Sequence, residues 1–356
     1  SAGTNQSWIE VSGLSENMGK AMEIVEGLIA GAQPNEEILQ NLKGDMIKSR
    51  ADAKLNQSRC FGALQRYMIY GSDFIRRTTL TDPALQGLTS EQLLAKIGDL
   101  MGKQHEVLYY GPQDEAEVKA ALAAHHKVTA DLQPLEKKFS TLQPTDENKV
   151  MLAPYDAKQL YYMQYSNRGE KFDLAADPQI TLYNEYFGGG MNTIVFQEMR
   201  ETRGLAYSAW AGIMPPSYLK YPYTIRTQIA TQNDKMIDAV NTFNDIINNM
   251  PESEAAFKLA KEGLINRMRT DRIIKSDIIW TYINAQDLGQ SVDPRIKLYN
   301  DVQTMTLKDI VDFQKEWVKG RTYVYCILGD KKDLDMNKLK AVGPIEELTQ
   351  EQIFGY

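Results

Sequence analysis

The pattern of apolar and polar positions predicts strands and helices that are segregated along the chain. A short strand over 7–11 precedes a helix around 17–29, and a long charged helix covers 36–53. A further helix ends near Tyr70 and Gly71. This order is typical of α+β sandwiches and differs from that of a doubly wound parallel sheet.

The same order of elements recurs at a spacing of roughly 217 residues, which predicts an internal repeat. A strand over 223–229 again precedes a helix over 235–247 and a long charged helix over 254–271. Matched positions carry the same residue types. They are Asn17 and Asn233, Pro34 and Pro251, Ser58 and Ser276, and Gly71 and Gly289.

The match continues through one more helix and strand in each copy. The helix over 91–101 and the strand over 106–110 correspond to a helix over 307–318 and a strand over 323–328. Residues 149–222 precede the repeated part of the second copy and have no counterpart in the first. We therefore expect the chain to begin inside a domain whose front portion lies on a preceding N-terminal piece.

Residues 129–147 have the composition of a linker, because they combine two prolines, two adjacent lysines and several hydroxyl side chains. We therefore predict the back part of a truncated α+β domain over 1–128 and a complete domain over 148–356. Each domain would be an α/β sandwich with a mainly antiparallel sheet and helices on one face.

Composition excludes several classes of protein. The formal net charge of the 356 residues is −7, and lysines and arginines are scattered among acidic residues. This pattern argues against a nucleic-acid partner. No apolar run approaches the length of a membrane span, so no membrane partner is expected. The first six residues do not resemble a signal peptide. The compartment stays open between periplasm, cytoplasm and organelle matrix, with the periplasm favoured.

The two cysteines, Cys60 and Cys326, lie in apolar surroundings and far apart in sequence. Neither belongs to a Cys-x-x-Cys pair. We interpret them as buried small apolar residues, although a disulfide between them stays open.

The middle of the chain carries the clearest candidate chemistry. Asp177 before Pro178 has the pattern of a helix cap, and Gly188, Gly189 and Gly190 would end that helix by allowing positive φ. Asn192 is placed to cap the next helix, Gly204 would end it, and 205–210 alternates as a strand. A phosphate-binding loop is excluded, because no Lys-Ser/Thr pair follows the glycines.

Arg200 and Tyr207 flank this helix-to-strand corner. Arg200 is open to a structural interpretation, as a cation near a helix C-terminus, and Tyr207 to one as a buried strand residue. Together, a guanidinium fork and a phenol can also converge on a peptide carbonyl and stabilise its developing oxyanion.

Three segments, 188–192, 196–201 and 203–208, resemble the second-half motif of M16 metallopeptidases. The resemblance covers 149–356 and, more weakly, 8–125. It implies tandem domains like those of mitochondrial processing peptidases, the first being incomplete here. It also implies that Arg200 and Tyr207 contact the substrate carbonyl, and that the glycines and Asn192 contribute to substrate binding.

The chain departs from a complete family member in its histidines, which are only His105, His125 and His126. No His-x-x-Glu-His motif is present. His105 is interpreted as structural, and the other two as exposed at a helix end. We therefore expect no metal or other cofactor on this chain.

The resemblance then implies zinc on a missing N-terminal half or on a companion subunit, which would be the partner of this chain. The expected function is that of the C-terminal half of a zinc endopeptidase that degrades unfolded peptides. The alternative is a non-catalytic partner subunit or a peptide-binding scaffold.

Overall fold

The structure, a computed structural model, describes residues 6–128, 130–136, 138–188 and 190–356. Two units emerge from the contacts within the chain. The first comprises Ser1–Asp52, Leu80–Ser140 and Ile274–Ile279, and the second comprises Ala53–Thr79, Thr141–Ile273 and Trp280–Tyr356. The predicted domain limits at 128 and 148 refer to family domains and stay a prediction.

Helices make up most of the regular structure of the described residues. They are α1 (Met18–Ala30), α2 (Glu36–Leu55), α3 (Gln57–Thr78), α4 (Asp82–Gln86), α5 (Ser90–Met101), α6 (Glu115–His125), α7 (Asp177–Phe187), α8 (Ile194–Phe196), α9 (Met236–Asn248), α10 (Glu254–Thr270), α11 (Asp277–Asp287), α12 (Pro294–Thr304), α13 (Leu307–Phe313), α14 (Met336–Val342) and α15 (Gln350–Phe354). One π-helix over Gln197–Thr202 extends α8, and another over Gln314–Val318 extends α13. Short 3-10 turns cover Ser15–Asn17, Asn233–Lys235 and Lys331–Asp333. The long charged helices predicted in each copy are confirmed as α2 and α10.

Six strands form one mixed sheet in the second unit, in the order β3-β4-β2-β5-β1-β6. They are β1 (Lys149–Ala153), β2 (Gln159–Ser166), β3 (Ser208–Met214), β4 (Thr224–Gln232), β5 (Val324–Leu328) and β6 (Ile345–Glu347). The pairs β3–β4, β4–β2 and β2–β5 are antiparallel, whereas β1 runs parallel to both of its neighbours. The α+β class with a mainly antiparallel sheet is therefore confirmed.

Both faces of this sheet are buried under other parts of the second unit. Because successive side chains of a strand point to opposite faces, each strand can contribute to two cores. In β1, Val150 and Leu152 join the larger apolar core with α7, α9 and α13. Met151 and Ala153 join a second core on the other face.

Helix α3 covers this second face together with α15. Cys60, Leu64 and Met68 of α3 are almost completely buried there beside Cys326. The expectation of helices on one face only is therefore wrong. The reason is that α3, a helix of the first predicted copy, packs with the sheet of the second.

The first unit is helical in its described part, and its buried apolar residues include Leu39, Leu85 and Val118. The strands predicted over 7–11 and 106–110 do not form there. A strand requires a hydrogen-bonded neighbour, and the described residues of this unit contain no sheet. The apolar side chains of both segments, such as Ile9 and Val107, remain exposed.

Two lysines make the same contacts at matched positions of the predicted repeat. Lys43 Nζ donates to the Gln86 and Leu88 carbonyls, at 2.9 and 2.6 Å. Lys261 Nζ donates to the carbonyls of residues 303 and 305, at 2.9 and 2.8 Å. This match favours the repeat, which stays a prediction because the strands of the first copy are absent from the described residues.

No helix in the described part of the chain is long and apolar enough to cross a bilayer.

Candidate functional site

The glycine corner is built by a very close approach of two backbones. Helix α7 ends at Phe187, and Gly188 N donates to Asn184 O at 3.1 Å. A Cβ atom on Gly188 would lie 2.1 Å from the Ala211 carbonyl oxygen of β3. Gly188 has a φ of −141°, so its role is steric and the predicted positive φ is wrong. Gly189 lies outside the described residues.

Two side chains predicted to cap helices do not do so. Asp177 is the first residue of α7, whose N-cap is Ala176 without a side-chain bond. Burial raises the pKa of the Asp177 carboxyl above its ordinary value. Asn192 is exposed and precedes Thr193, the N-cap residue of α8. Each N-cap residue therefore lies one position from the predicted one, at Ala176 and at Thr193. The backbone conformation decides where each helix begins more than the side-chain type does.

The corner closes over a π-helical turn. Gly204 adopts a φ of +58° and ends the turn as predicted. Leu205 N then donates to Met199 O at 2.9 Å, and Tyr207 N donates to Ala230 O of β4 at 3.0 Å. Single π-helical turns are frequent at functional sites. This turn sets the direction in which the Arg200 side chain leaves the helix.

The structure brings Arg200 and Tyr207 together. The Arg200 guanidinium lies 5.1 Å from the Phe196 ring centre and 5.3 Å from that of Tyr207. Arg200 Nη1 also donates to the Tyr207 carbonyl at 3.0 Å. Tyr207 is 73% exposed, so its interpretation as a buried strand residue is wrong. The strand begins one residue later, at Ser208.

The free edge of strand β3 is partly occupied beside this site. Asn184 Nδ2 donates to the Ile213 carbonyl at 2.9 Å, and Asn184 Oδ1 accepts from Ile213 N at 2.8 Å. Ala211 N donates to Gly188 O at 3.3 Å. An added peptide strand would therefore find the N–H of Ala211 and both outward backbone groups of Ile213 already bonded.

The three histidines lie in the first unit, and none of them is part of a strand. His105 Nε2 and His126 Nε2 are 2.8 Å apart, and His126 Nδ1 lies 2.6 Å from Glu26 Oε1. His105 Nδ1 is 2.8 Å from the Lys103 carbonyl. The His126 side chain is only 18% exposed, so its interpretation as a solvent-exposed residue is wrong.

The described residues do not fit a metal centre. No group of three or more histidine, cysteine, aspartate or glutamate side chains converges among them. Cys60 and Cys326 are buried free thiols, as expected, and burial raises the pKa of both. A zinc ion of the kind used by peptidases, with three protein ligands, has no site in this part of the chain.

A polar cavity of about 350 Å³ lies away from Arg200 and Tyr207. Its lining includes Asn148, Asn244 and Tyr325. Asn148 Oδ1 accepts from Tyr323 N at 2.9 Å, and Asn244 Oδ1 accepts from Gln164 Nε2 at 2.6 Å. Single asparagines carry no pattern in the sequence, so sequence reasoning missed this cavity.

Arg226 on β4 was also missed. It is a half-buried arginine, and burial lowers the pKa of its guanidinium. The only sequence signal is a cationic residue between Ile225 and Thr227 within a segment that is predicted as a strand.

Residues 100–264 match a family model described as the peptidase M16 inactive domain. This range contains Gly188, Arg200 and Tyr207. No curated protein matches the chain in sequence.

Solved structures share the fold. A peptidase M16 inactive domain from Pseudomonas fluorescens has a TM-score of 0.66 at 15% identity, over 89% of this chain and 76% of that one. A protease from Helicobacter pylori has a TM-score of 0.61 at 12% identity, over 88% and 77%. A mutant of the ferredoxin protease FusC, in complex with Arabidopsis ferredoxin, has a TM-score of 0.64 at 11% identity, over 88% and 34%. At these identities the likeness shows the fold.

Proposed function

Because the chain carries a domain of the peptidase M16 inactive-domain family, we propose that it is the peptide-binding half of an M16-type endopeptidase. The zinc ion would be held by a separate N-terminal half or by a companion subunit. The absence of a converging ligand set from the described residues is consistent with this division.

The observation that carries the proposal is the exposed stack of Arg200 on Tyr207. Within the described residues, Arg200 Nη2 and the Tyr207 hydroxyl have no protein acceptor, whereas Nη1 is fixed by the Tyr207 carbonyl. Two donors thus remain available on a pre-oriented pair. A planar guanidinium and a phenol suit a carbonyl oxygen that gains negative charge.

In this proposal the two side chains bind and orient the scissile carbonyl of an unfolded peptide. Gly188 and Gly190 keep the neighbouring corner free of side chains, while Met191 and Asn192 are exposed beside it. Binding by strand addition at Ala211 and Ile213 is disfavoured, because the Ala211 N–H and both outward groups of Ile213 are already bonded. The peptide would therefore be held chiefly through side chains and through the partner half.

Reconstitution tests this function. The chain alone should not cleave a fluorescence-quenched unfolded peptide, with or without added Zn²⁺. Mixed with its His-x-x-Glu-His-bearing partner half, it should give cleavage that a chelator abolishes. Cleavage by the chain alone, or equal cleavage by the partner half alone, would overturn the proposal.

The second candidate is a non-catalytic partner that only docks peptides or proteins. The ferredoxin complex of a structural neighbour shows that a protein with this fold can bind another protein. In that case Tyr207→Phe would leave the turnover number of the assembled enzyme unchanged.

A further inference from the structure

Arg226 lies on the α3-covered side of strand β4. It stands directly opposite Tyr165 of β2 and Gly212 of β3. Directly opposite residues of antiparallel strands have Cβ atoms about 4.5–5.5 Å apart. The Tyr165 phenol is therefore an immediate neighbour of the Arg226 side chain.

Tyr70 of α3 packs against the apolar core that contains Tyr165, on the same side of the sheet as Arg226. Burial lowers the pKa of the Arg226 guanidinium, and the phenols of Tyr165 and Tyr70 act in the opposite direction. The Tyr165 hydroxyl donates to the Gln143 carbonyl at 3.1 Å and is thus already engaged. The Tyr70 hydroxyl has no acceptor in the part of the chain that the structure describes.

Among the described residues, the guanidinium of Arg226 has no anionic partner. Its Nε donates to Thr224 Oγ1 at 3.3 Å. Neither Nη1 nor Nη2 reaches a carboxylate or another acceptor among the described residues. Burying a cation without a counter-charge costs free energy of folding. We therefore expect a bound ligand to supply the negative charge beside Arg226.

Arg321 provides the contrast within the same unit. It is also buried, and burial lowers the pKa of its guanidinium. Unlike Arg226, it forms a salt bridge with Glu170 through both terminal nitrogens. The described part of the chain therefore supplies a carboxylate for Arg321 and none for Arg226, whose Nη donors stay available.

We propose that Arg226 and Tyr70 form a binding site for a carboxylate group, separate from Arg200 and Tyr207. The two Nη groups offer the parallel donors that a carboxylate accepts in bidentate fashion, and the Tyr70 hydroxyl adds a third donor. That the ligand carries a carboxylate follows from these donors alone. That this carboxylate belongs to a peptide rests on the proposed function.

A peptide can present this group in two ways, as its C-terminal carboxylate or as an aspartate or glutamate side chain. Three peptides of otherwise equal sequence separate the sources. One has a free C-terminus and no acidic residue, one has an amidated C-terminus and one glutamate, and one has neither carboxylate.

The experiment measures the Kd of each labelled peptide for the chain by fluorescence anisotropy, with acetate as the competitor. We expect at least one carboxylate-bearing peptide to bind about tenfold or more tightly than the peptide without carboxylates. Arg226→Gln should abolish this difference, and Tyr70→Phe should reduce it. Arg267→Gln removes an exposed arginine that pairs with Glu185, and should leave the difference unchanged.

Circular dichroism confirms that each variant is folded, and Tyr70→Phe provides the test if Arg226→Gln does not fold. Equal binding of all three peptides, or a carboxylate preference that survives in both variants, would overturn the site. Either result leaves the reconstituted cleavage reaction untouched, so failure of this site is distinguishable from failure of the proposed function.

Discussion

The Arg200 guanidinium lies 5.3 Å from the centre of the Tyr207 ring and donates from Nη1 to the Tyr207 carbonyl. The carbonyl bond fixes the orientation of the guanidinium, which lies over the Tyr207 ring. Both side chains nevertheless remain accessible, at 43% for the Arg200 side chain and 73% for Tyr207. A pair held in place but exposed is suited to contact a substrate.

Arg200→Lys tests the geometric part of this role. Lysine keeps the positive charge but loses the planar fork and most of the stack on Tyr207. We expect turnover by the reassembled peptidase to fall about tenfold or more, as for the loss of an oriented donor. Arg203→Lys, which changes a neighbouring arginine paired with Glu198, is the control and should retain most activity. Equal turnover in Arg200→Lys would show that charge alone suffices.

Gly188→Ala tests the close approach at the corner. The new Cβ would lie 2.1 Å from the Ala211 carbonyl oxygen, so the backbone of α7 or β3 must move. We expect the free energy of unfolding to fall by about 1–3 kcal/mol, as in other overpacked sites. Gly190→Ala is the matched control, since the added Cβ would have no described heavy atom within 4 Å apart from its chain neighbours. Urea denaturation of both variants measures the difference, and equal values would contradict the steric role.

Two tyrosines on β2 separate hydrogen bonding from burial. Tyr162 is fully buried and its hydroxyl has no hydrogen-bond partner among the described residues, whereas the equally buried Tyr165 donates to the Gln143 carbonyl. Tyr162→Phe should be neutral or stabilising, and Tyr165→Phe should cost about 1 kcal/mol of unfolding free energy. Thermal denaturation at a single pH measures both. The reverse order would show that the Tyr162 hydroxyl is satisfied in solution.

The helix cap at Thr306 should respond to acid. The Asp309 carboxylate accepts from the Thr306 hydroxyl and backbone N–H, both at 2.7 Å, and these bonds lower the pKa of Asp309. A folded-state pKa below the unfolded value of about 3.9 stabilises the fold above that pH. The contribution disappears as the pH falls through the folded-state pKa.

We therefore expect Asp309→Asn to reduce the loss of stability between neutral and acidic pH, measured as unfolding midpoints along a pH series. The matched position of the predicted repeat supplies a control. Thr89 has the same capping box with Gln92, which does not titrate, so Gln92→Ala should lower stability equally at all pH values. An unchanged acid slope in Asp309→Asn would contradict the assignment.

The sequence predicts the helices and strands better than it predicts which of them pack against one another. Helices α2 and α10 follow from periodicity and charge, and Gly204 follows from its need for positive φ. Long-range packing was not predictable. The residues around Cys60 read as a helix of the first copy, yet α3 covers the sheet of the second unit because its apolar face matches that of Met151 and Ala153.

In the candidate site, too, some features could be predicted from the sequence and others could not. The pairing of Arg200 with Tyr207 was predicted from residue type and spacing. The steric role of Gly188 depends on where β3 passes, and spacing along the chain does not contain that information. Arg226 depends on register, since only pairing with β2 places it opposite Tyr165.

The turnover number of the reassembled peptidase with Tyr207→Phe tests the central claim most directly. The phenol is exposed, so its loss should leave folding and assembly intact, while a lost oxyanion donor lowers turnover by roughly 10²–10³. Tyr110→Phe, which removes another exposed phenol, should leave turnover unchanged. A Tyr207→Phe enzyme with the turnover of the unaltered protein would contradict the account.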